Sequence, residues 1–287
     1  MSQRSRNHHY VPKALQKNFW ESQEKIWYAK RSSVKEKFLT VELRNCSSAF
    51  KRRDFYTVLD GSDKLSDIAE RDFYGIVDDQ LGKTLFETIP ILDSGNLPLF
   101  HGIPLESFKH LITVMFKRTL DMASKQSDDD TGNSIIDGTL KEVGKFHGIS
   151  IEQAREVIKF PPARHLGRTV RVNAQTSYSE NILEALRDYR VAAVSAASGS
   201  SFILGSKMIY RISNGTADRL GSENVEIWFP ISPRYCLVLH ALKNSPNSII
   251  TWPQRKVREV NEFIARESLE VGSHSNKLLR SVLAIRQ

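Results

Sequence analysis

The sequence predicts an α+β fold: a basic, β-rich N-terminal segment, a helical middle, and a β-rich C-terminal part with a final helix. Three observations predict it. The hydrophobic period is close to two around residues 25–30 and again beyond Phe202, and between Leu65 and Leu120 it lengthens to about 3.6 residues. The positive excess of the chain is also gathered at its start: residues 1–53 hold 13 Lys/Arg against 4 Asp/Glu, and the remainder holds 28 against 29. The expected division is therefore 1–60, 61–198 and 199–287, with the last part packed on the first as one globular unit.

The opening run Arg6-Asn7-His8-His9-Tyr10-Val11-Pro12-Lys13 is the densest stretch of potential chemistry. Two adjacent imidazoles can serve as base, acid or metal ligand near neutral pH. Pro12 suits the first turn of a helix, in which Leu15 and Phe19 share one face while Lys13 and Lys17, four apart, share another. The histidines would then precede a helix N-terminus, a setting that favours phosphate. Residues 25–30 read as a strand that 34–43 can join. The run 50–58 adds the Arg52-Arg53 pair to a further strand, and 60–63 is a turn at a subdomain boundary.

Beyond that turn, Leu65, Ile68, Phe73, Ile76, Val77, Leu81, Leu85 and Phe86 predict an amphipathic helix ending before Pro90. A second long helix spans about 105–125 and includes Arg118 and Leu120. Residues 127–133 read as a solvated loop, lacking the ligand spacing of a calcium loop. Helices follow at 134–147 and 151–159, the latter opened by a Ser150/Gln153 capping box and closed by Pro161-Pro162. The basic cluster 164–171 stands apart from any aromatic run. A helix is expected over 178–194, strands over 202–212, 226–230, 235–241 and 248–252, an Asn214-Gly215 turn, and a last helix over 254–270.

A chain of 287 residues with 40% hydrophobic content can bury a real core. Cys46 and Cys236 have no metal-type spacing and cannot form a disulfide framework, which fits a reducing compartment. No apolar run is long enough to span a membrane, and residues 1–20 lack a signal-peptide core, so a cytoplasmic location and no membrane partner are expected. The Lys/Arg excess, interleaved with Tyr10, Phe19, Trp20, Trp27, Tyr28 and Phe38, suits a polyanion.

Four segments together resemble a bacterial family of unknown function with an HYVP signature. They are His9-Tyr10-Val11-Pro12 with residues 15–19; Trp27-Tyr28 with Asp54-Phe55-Tyr56; Arg118-Thr119 on a long helix; and Phe229-Pro230-Ile231-Ser232-Pro233 with 257–264 after it. Where that family has a Ser-Asp-Asn-Pro-like turn, this chain has Leu204-Gly205-Ser206-Lys207. The family is defined by sequence and not by a reaction.

His8-His9-Tyr10-Val11-Pro12-Lys13 also resembles the first motif of HNH/endonuclease VII nucleases. That resemblance implies His9 as general base and His8 as ligand of a divalent metal such as Mg²⁺ or Mn²⁺. Those nucleases add an Asn and a further His from the same compact unit. Here the next histidine is His101, while Asn18 and Asp54 are available as a further catalytic residue and metal ligand. Glu70, Asp72, Asp78 and Asp79 are candidates for a missing carboxylate.

Three functional expectations result. The first is a metal-dependent nuclease, an effector of bacterial antiphage defence, with His8, His9 and Asn18 in catalysis and Arg6, Lys13, Lys17, Arg52, Arg53 and Arg118 gripping nucleic acid. The second is a non-catalytic nucleic-acid or nucleotide-binding module using the same basic residues. The third is that His9 and Tyr10 are held by hydrogen bonds to the late β segment and fix the N-terminus to the core. No nucleophile elbow, phosphate loop or dinucleotide fingerprint offers a different chemistry.

Overall fold

Alternation of side chains decides the early strands, and the first of these is the histidine stretch itself. In the computed structural model, which describes residues 6–32, 36–98, 100, 102–119, 127–213, 219–241 and 248–284, Asn7–His9 is a strand, β1, with exposed, buried and half-buried side chains in turn. Three sequence features, the Asn214-Gly215 turn, His101 and the 120–125 end of the second long helix, lie outside the described residues. The architecture is α+β, and the chain divides into two units: residues 1–8, 52–76 and 122–177 form unit 1, and 9–51, 77–121 and 178–287 form unit 2.

Unit 2 contains two sheets. Strand β2 (Lys25–Lys30), as the alternation predicts, and β3 (Glu42–Asn45), which takes the place of the partner expected over 34–43, come from the N-terminal segment. They share a four-stranded sheet, ordered β3-β2-β13-β8, with β8 (Leu204–Gly205) and β13 (Glu270–Ser273) from the far end of the chain. All its pairings are antiparallel, with Lys30 opposite Glu270 and Tyr28 opposite Gly272.

The second sheet has the order β12-β7-β11-β10-β9, from β7 (Arg190–Ala196), β9 (Tyr210–Ser213), β10 (Val225–Pro230), β11 (Tyr235–His240) and β12 (Ile250–Trp252). Every residue of β11 is buried, so that strand reads as a continuous apolar run and not as an alternation. Helix α8 (Gln254–Glu267) presents Val257, Val260 and Ile264 to a buried cluster that includes Val194, Trp228, Val238 and Val271. Their spacing of three and four is the helical period that predicts this face.

Helices α1 (Lys13–Lys17), α2 (Gly75–Asp93), α3 (Gly102–Lys117), α7 (Glu180–Ala185) and α9 (Asn276–Leu283) are the other helices of unit 2 among the described residues, α2 entering it from Val77. On α1, Leu15 and Phe19 just beyond it are wholly buried, whereas Lys13 and Lys17 are exposed.

Unit 1 carries β1 as far as His8, most of β4 (Lys51–Arg53), the small hairpin β5 (Val58–Leu59) and β6 (Leu65–Ser66), and α4 (Asp128–His147), α5 (Ile151–Val157) and α6 (Ala163–Thr176). Strand β1 pairs with β4, and β5 with β6. The 60–63 turn lies inside this unit, where Asp60 Oδ1 accepts the N–H groups of Ser62 and Lys64. Helices α4 and α6 cross at glycines. A Cβ placed on Gly132 would meet the carbonyl oxygen of Ala163 at 1.8 Å, and one on Gly167 would meet that of Asp128 at 1.8 Å. Ser150 and Gln153 form the capping box expected at α5.

Four sequence expectations are corrected. The first long helix does not begin at Leu65: that residue is in β6, and Ala69–Tyr74 is a π-helical stretch leading into α2. Along α2, Leu81, Leu85 and Leu92 share the buried face at helical spacing, whereas Ile76 and Phe86 fall off it and are 67% and 82% exposed. The helix also continues through Pro90 to Asp93. Second, 127–133 is not a loop but the start of α4: Ser127 accepts the Asp130 N–H, and Asp128, Asp129 and Asp130 sit in the first turn, where the helix dipole favours negative charge. Third, the helix expected over 178–194 stops at Ala185, and Arg190–Ala196 is the inner strand β7. Fourth, the helix from Gln254 ends at Glu267 and is followed by β13 and the last helix, α9.

Candidate functional site

Consecutive residues of a strand project to opposite faces, and His8 and His9 do so with different partners. His8 is fully buried in unit 1. Its Nδ1 accepts the backbone N–H of Tyr56 at 2.7 Å, and its ring stacks on the Tyr56 ring with centroids 5.7 Å apart. An imidazole nitrogen that accepts a hydrogen bond carries no proton, so the neutral ring holds its proton on Nε2. Tyr56 in turn packs on Tyr74, centroids 4.1 Å apart. Within the same unit, Asp54 has a left-handed backbone (φ 55°), receives an ion pair from Arg53 at 3.6 Å, and its N–H donates to the Arg6 carbonyl. Arg6, Arg52 and Arg53 are exposed.

His9 belongs to unit 2 and is half-buried, with Nε2 3.2 Å from the Cys46 carbonyl oxygen. Burial first, and then the charges of Lys13, Lys51 and Arg118, together lower its pKa from 6.5 to about 4, against the opposing hydrogen bond to Cys46. The imidazole is therefore neutral at physiological pH and sits in a positive field. The backbone of this motif is tied down at each step. Arg118, wholly buried, donates to the His9 carbonyl oxygen at 2.7 Å and forms an ion pair with Asp78. The N–H of Tyr10 donates to the carbonyl of Phe50. Gln16 Nε2 donates to the Val11 carbonyl at 2.8 Å, and Asn18 Nδ2 to the Ile231 carbonyl at 2.9 Å.

The side chain of Tyr10 is anchored at the far end of the chain. Its hydroxyl donates to Glu270, a residue only 2% exposed, whose other oxygen lies 3.4 Å from Lys30 Nζ. Tyr28 also hydrogen-bonds Glu270, and burial together with that carboxylate raises the tyrosine pKa. Two tyrosines and a lysine thus surround one buried carboxylate.

The late Phe229-Pro230-Ile231-Ser232-Pro233 run closes the β10–β11 hairpin, with Ser232 Oγ accepting the N–H groups of Arg234 and Tyr235. Asn18 bridges the opening motif to this turn.

Among the residues singled out from sequence, Lys13 and Arg118 share the surroundings of His9, and Lys17 is exposed one turn beyond Lys13 on α1. His8 and Asp54 lie in unit 1. Asn18 serves the β10–β11 turn. Of the candidate carboxylates, Asp78 holds Arg118, and Asp72 holds Arg71 at 2.6 Å. Among the described residues no group of three or more His, Cys, Asp or Glu side chains converges.

Helix α1 has five residues and so offers no extended dipole to an anion. The basic cluster over 164–171 meets an aromatic after all. Arg171 lies 4.5 Å from the Phe55 ring centroid and donates to the Phe55 carbonyl, while both Arg168 and Arg171 pair with Asp128.

Two residues of this site, Lys51 and Glu270, escape sequence reasoning. Glu270 carries a faint signal as a single charge within an apolar alternation, and Lys51 is masked by the neighbouring Arg52-Arg53 pair.

An α+β scaffold whose opening motif is pinned by Arg118, Asn18 and Glu270 defines a class of protein by its fold and anchoring. The chain belongs to the family described as a protein of unknown function (DUF4238), whose model matches residues 7–271. Comparison with the curated proteins and with the solved structures gives no match.

Proposed function

We propose that the protein is a non-catalytic nucleic-acid-binding module, with the His9 face of unit 2 as its phosphate contact. The observation that carries this reading is the field at His9. The charges that chiefly shift its imidazole are Lys13, Lys51 and Arg118, all cationic. Asp78 answers Arg118, and Lys13 and Lys17 remain exposed. Such a field attracts phosphate oxygens and releases counterions from the polymer. It also opposes a divalent cation placed at the same imidazole, which weighs against the metal-dependent nuclease suggested by the His-His-x-x-Pro-Lys resemblance. Charge distribution agrees: unit 2 holds 27 Lys/Arg against 20 Asp/Glu, and unit 1 holds 14 against 13.

The test is fluorescence anisotropy of single- and double-stranded DNA and RNA oligonucleotides over a salt series, with wild type and a Lys13→Glu/Lys17→Glu double variant. Binding should weaken with salt, and the double variant should reduce the log–log slope by about 1.5. Absence of salt-sensitive binding to all four polymers overturns the reading. Cleavage of the oligonucleotides on adding Mg²⁺ or Mn²⁺, abolished by His9→Ala in a folded protein, replaces it with the nuclease.

A further inference from the structure

Unit 2 holds a second concentration of cationic and hydroxyl groups, remote in sequence from the opening motif. A cavity of about 560 Å³ opens between the Gly199-Ser200-Ser201 stretch, helix α8 and helix α9. Its lining includes the cations Arg258 and Lys277 together with His274, and no Asp or Glu is among the lining residues. Glu262 compensates part of this charge, accepting from Arg258 Nε at 2.5 Å. The rest of the Arg258 guanidinium is oriented by Ser281, whose hydroxyl and carbonyl oxygens it reaches at 2.7 Å each.

Lys277 is exposed and has no ion-pair partner among the described residues. The His274 Nδ1 is buried with no hydrogen-bond partner among the described residues. Desolvation holds the His274 pKa below its ordinary value, which leaves a neutral ring able to donate or accept.

The frame around these groups is fixed. Gly199 has φ +78°, and a Cβ there would meet Gln254 Nε2 at 3.1 Å. Gln254 Nε2 donates to the Ser198 carbonyl, and Asn261 Nδ2 to that of Ser201. Ser275 accepts the Leu278 N–H, so its own hydroxyl proton stays available to the cavity. Neither α8 nor α9 carries an acidic residue in its first turn. Val257 and Leu278 supply apolar wall. The volume is that of a small-molecule site and far exceeds what a bare phosphate ion fills.

We infer that this cavity binds a small phosphorylated molecule of mononucleotide size, its phosphate held by Lys277, Arg258 and the Ser275 hydroxyl and its apolar part against Val257 and Leu278. Charge-assisted hydrogen bonds from a lysine and an oriented guanidinium are the strong contacts that phosphate recognition uses. The inference goes beyond the nucleic-acid reading and does not depend on it. The residues involved are separate from Lys13, Lys17 and Lys51, and five of them, from His274 to Ser281, lie past residue 271, where the family match ends.

Isothermal titration of the full chain with AMP, adenosine and inorganic phosphate tests it. AMP should bind saturably, phosphate should compete for the same site more weakly, and adenosine should bind at least about tenfold more weakly than AMP. The decisive variant is Lys277→Glu. A carboxylate in the first turn of α9 suits the helix dipole, so the fold should survive, as circular dichroism and the thermal midpoint would verify, while AMP affinity falls about tenfold or more.

Lys13→Glu is the control: it should leave AMP binding unchanged and weaken only oligonucleotide binding. Three outcomes overturn the inference: no saturable AMP binding up to roughly 10 mM, adenosine binding as tightly as AMP, or AMP affinity unaltered in folded Lys277→Glu. None of the three bears on the nucleic-acid reading, which fails or stands on the oligonucleotide series.

Discussion

Arg118 and His9 are separated by 109 positions in the chain, yet the guanidinium donates to the His9 carbonyl at 2.7 Å from a position of zero exposure. Its charge is answered by Asp78, itself 30% exposed at the side chain. Replacement with Met keeps the apolar stem and removes the guanidinium, leaving a carbonyl and a carboxylate with lost partners. Arg118→Met should cost about 3 kcal/mol in urea denaturation, the scale for breaking a buried ion pair from one side. A cost below about 1 kcal/mol would mean that Arg118 is not the pin of the motif.

His9 predicts an acid-labile native state. Its unfolded pKa lies near 6.5 and its folded pKa near 4. Between those values the unfolded chain binds the extra proton, so stability falls as pH drops from about 6.5 toward 4 and is fully retained above that window. His240 and His274, whose pKa values burial also lowers, act in the same direction. The denaturation midpoint should therefore fall across this interval, and His9→Gln should flatten the fall in part. A pH profile identical in wild type and His9→Gln would contradict the burial of this ring.

Both thiols should resist modification. Cys46 is 4% exposed and Cys236 is wholly buried; burial pushes the Cys46 thiol up to about 11 and the Cys236 thiol higher still. Thiolate, the reactive form, is scarce in both. Titration with a chromogenic disulfide reagent should give no rapid reaction in buffer at neutral pH and two equivalents in denaturant. A fast equivalent in the native protein would place one cysteine at the surface.

The α4–α6 crossing in unit 1 leaves no space for a methyl group. Gly132→Ala or Gly167→Ala drives a Cβ to within 1.8 Å of a backbone oxygen, and backbone cannot swing aside as a long side chain can. Although alanine favours a helix by about 1 kcal/mol over glycine, each variant should be destabilised by about 2 kcal/mol or more, through overpacking. Thermal unfolding followed by circular dichroism reads the outcome, and a raised midpoint would show that the helices separate freely.

Much of the fold is legible in the chain because local rules and tertiary packing agree. Lys25–Lys30 alternates as a half-buried strand should, Val257, Val260 and Ile264 mark one helix face, and Ser150 with Gln153 closes a capping box. Failures arise where the environment overrides the pattern. Arg190–Ala196 contains three alanines and no polar alternation, since its central residues Ala192, Ala193 and Val194 are buried in a strand flanked by β11 and β12, and its period is indistinguishable from a helix. The three aspartates after Ser127 look like a solvated loop until the cap is seen.

For the candidate site, the residues were visible but their directions were not. His8 and His9 look like a pair when written side by side, whereas a strand assigns them to Tyr56 and to Cys46. Glu270 cannot be found from the motif itself, because nothing in residues 6–13 points to a partner 260 residues away.

That distance has a consequence for synthesis. Strand β2 and Tyr10 are made well before β13, the partner of both, whose Glu270 follows Tyr10 by 260 residues. At ordinary translation speeds β2 waits roughly ten to fifty seconds for its inner neighbour, with Ile26 and Tyr28 uncovered and one row of backbone groups unpaired. Closure of unit 2 is thus a late event on the ribosome, and a nascent chain stopped before Glu270 would carry an open, sticky strand edge suited to capture by a chaperone.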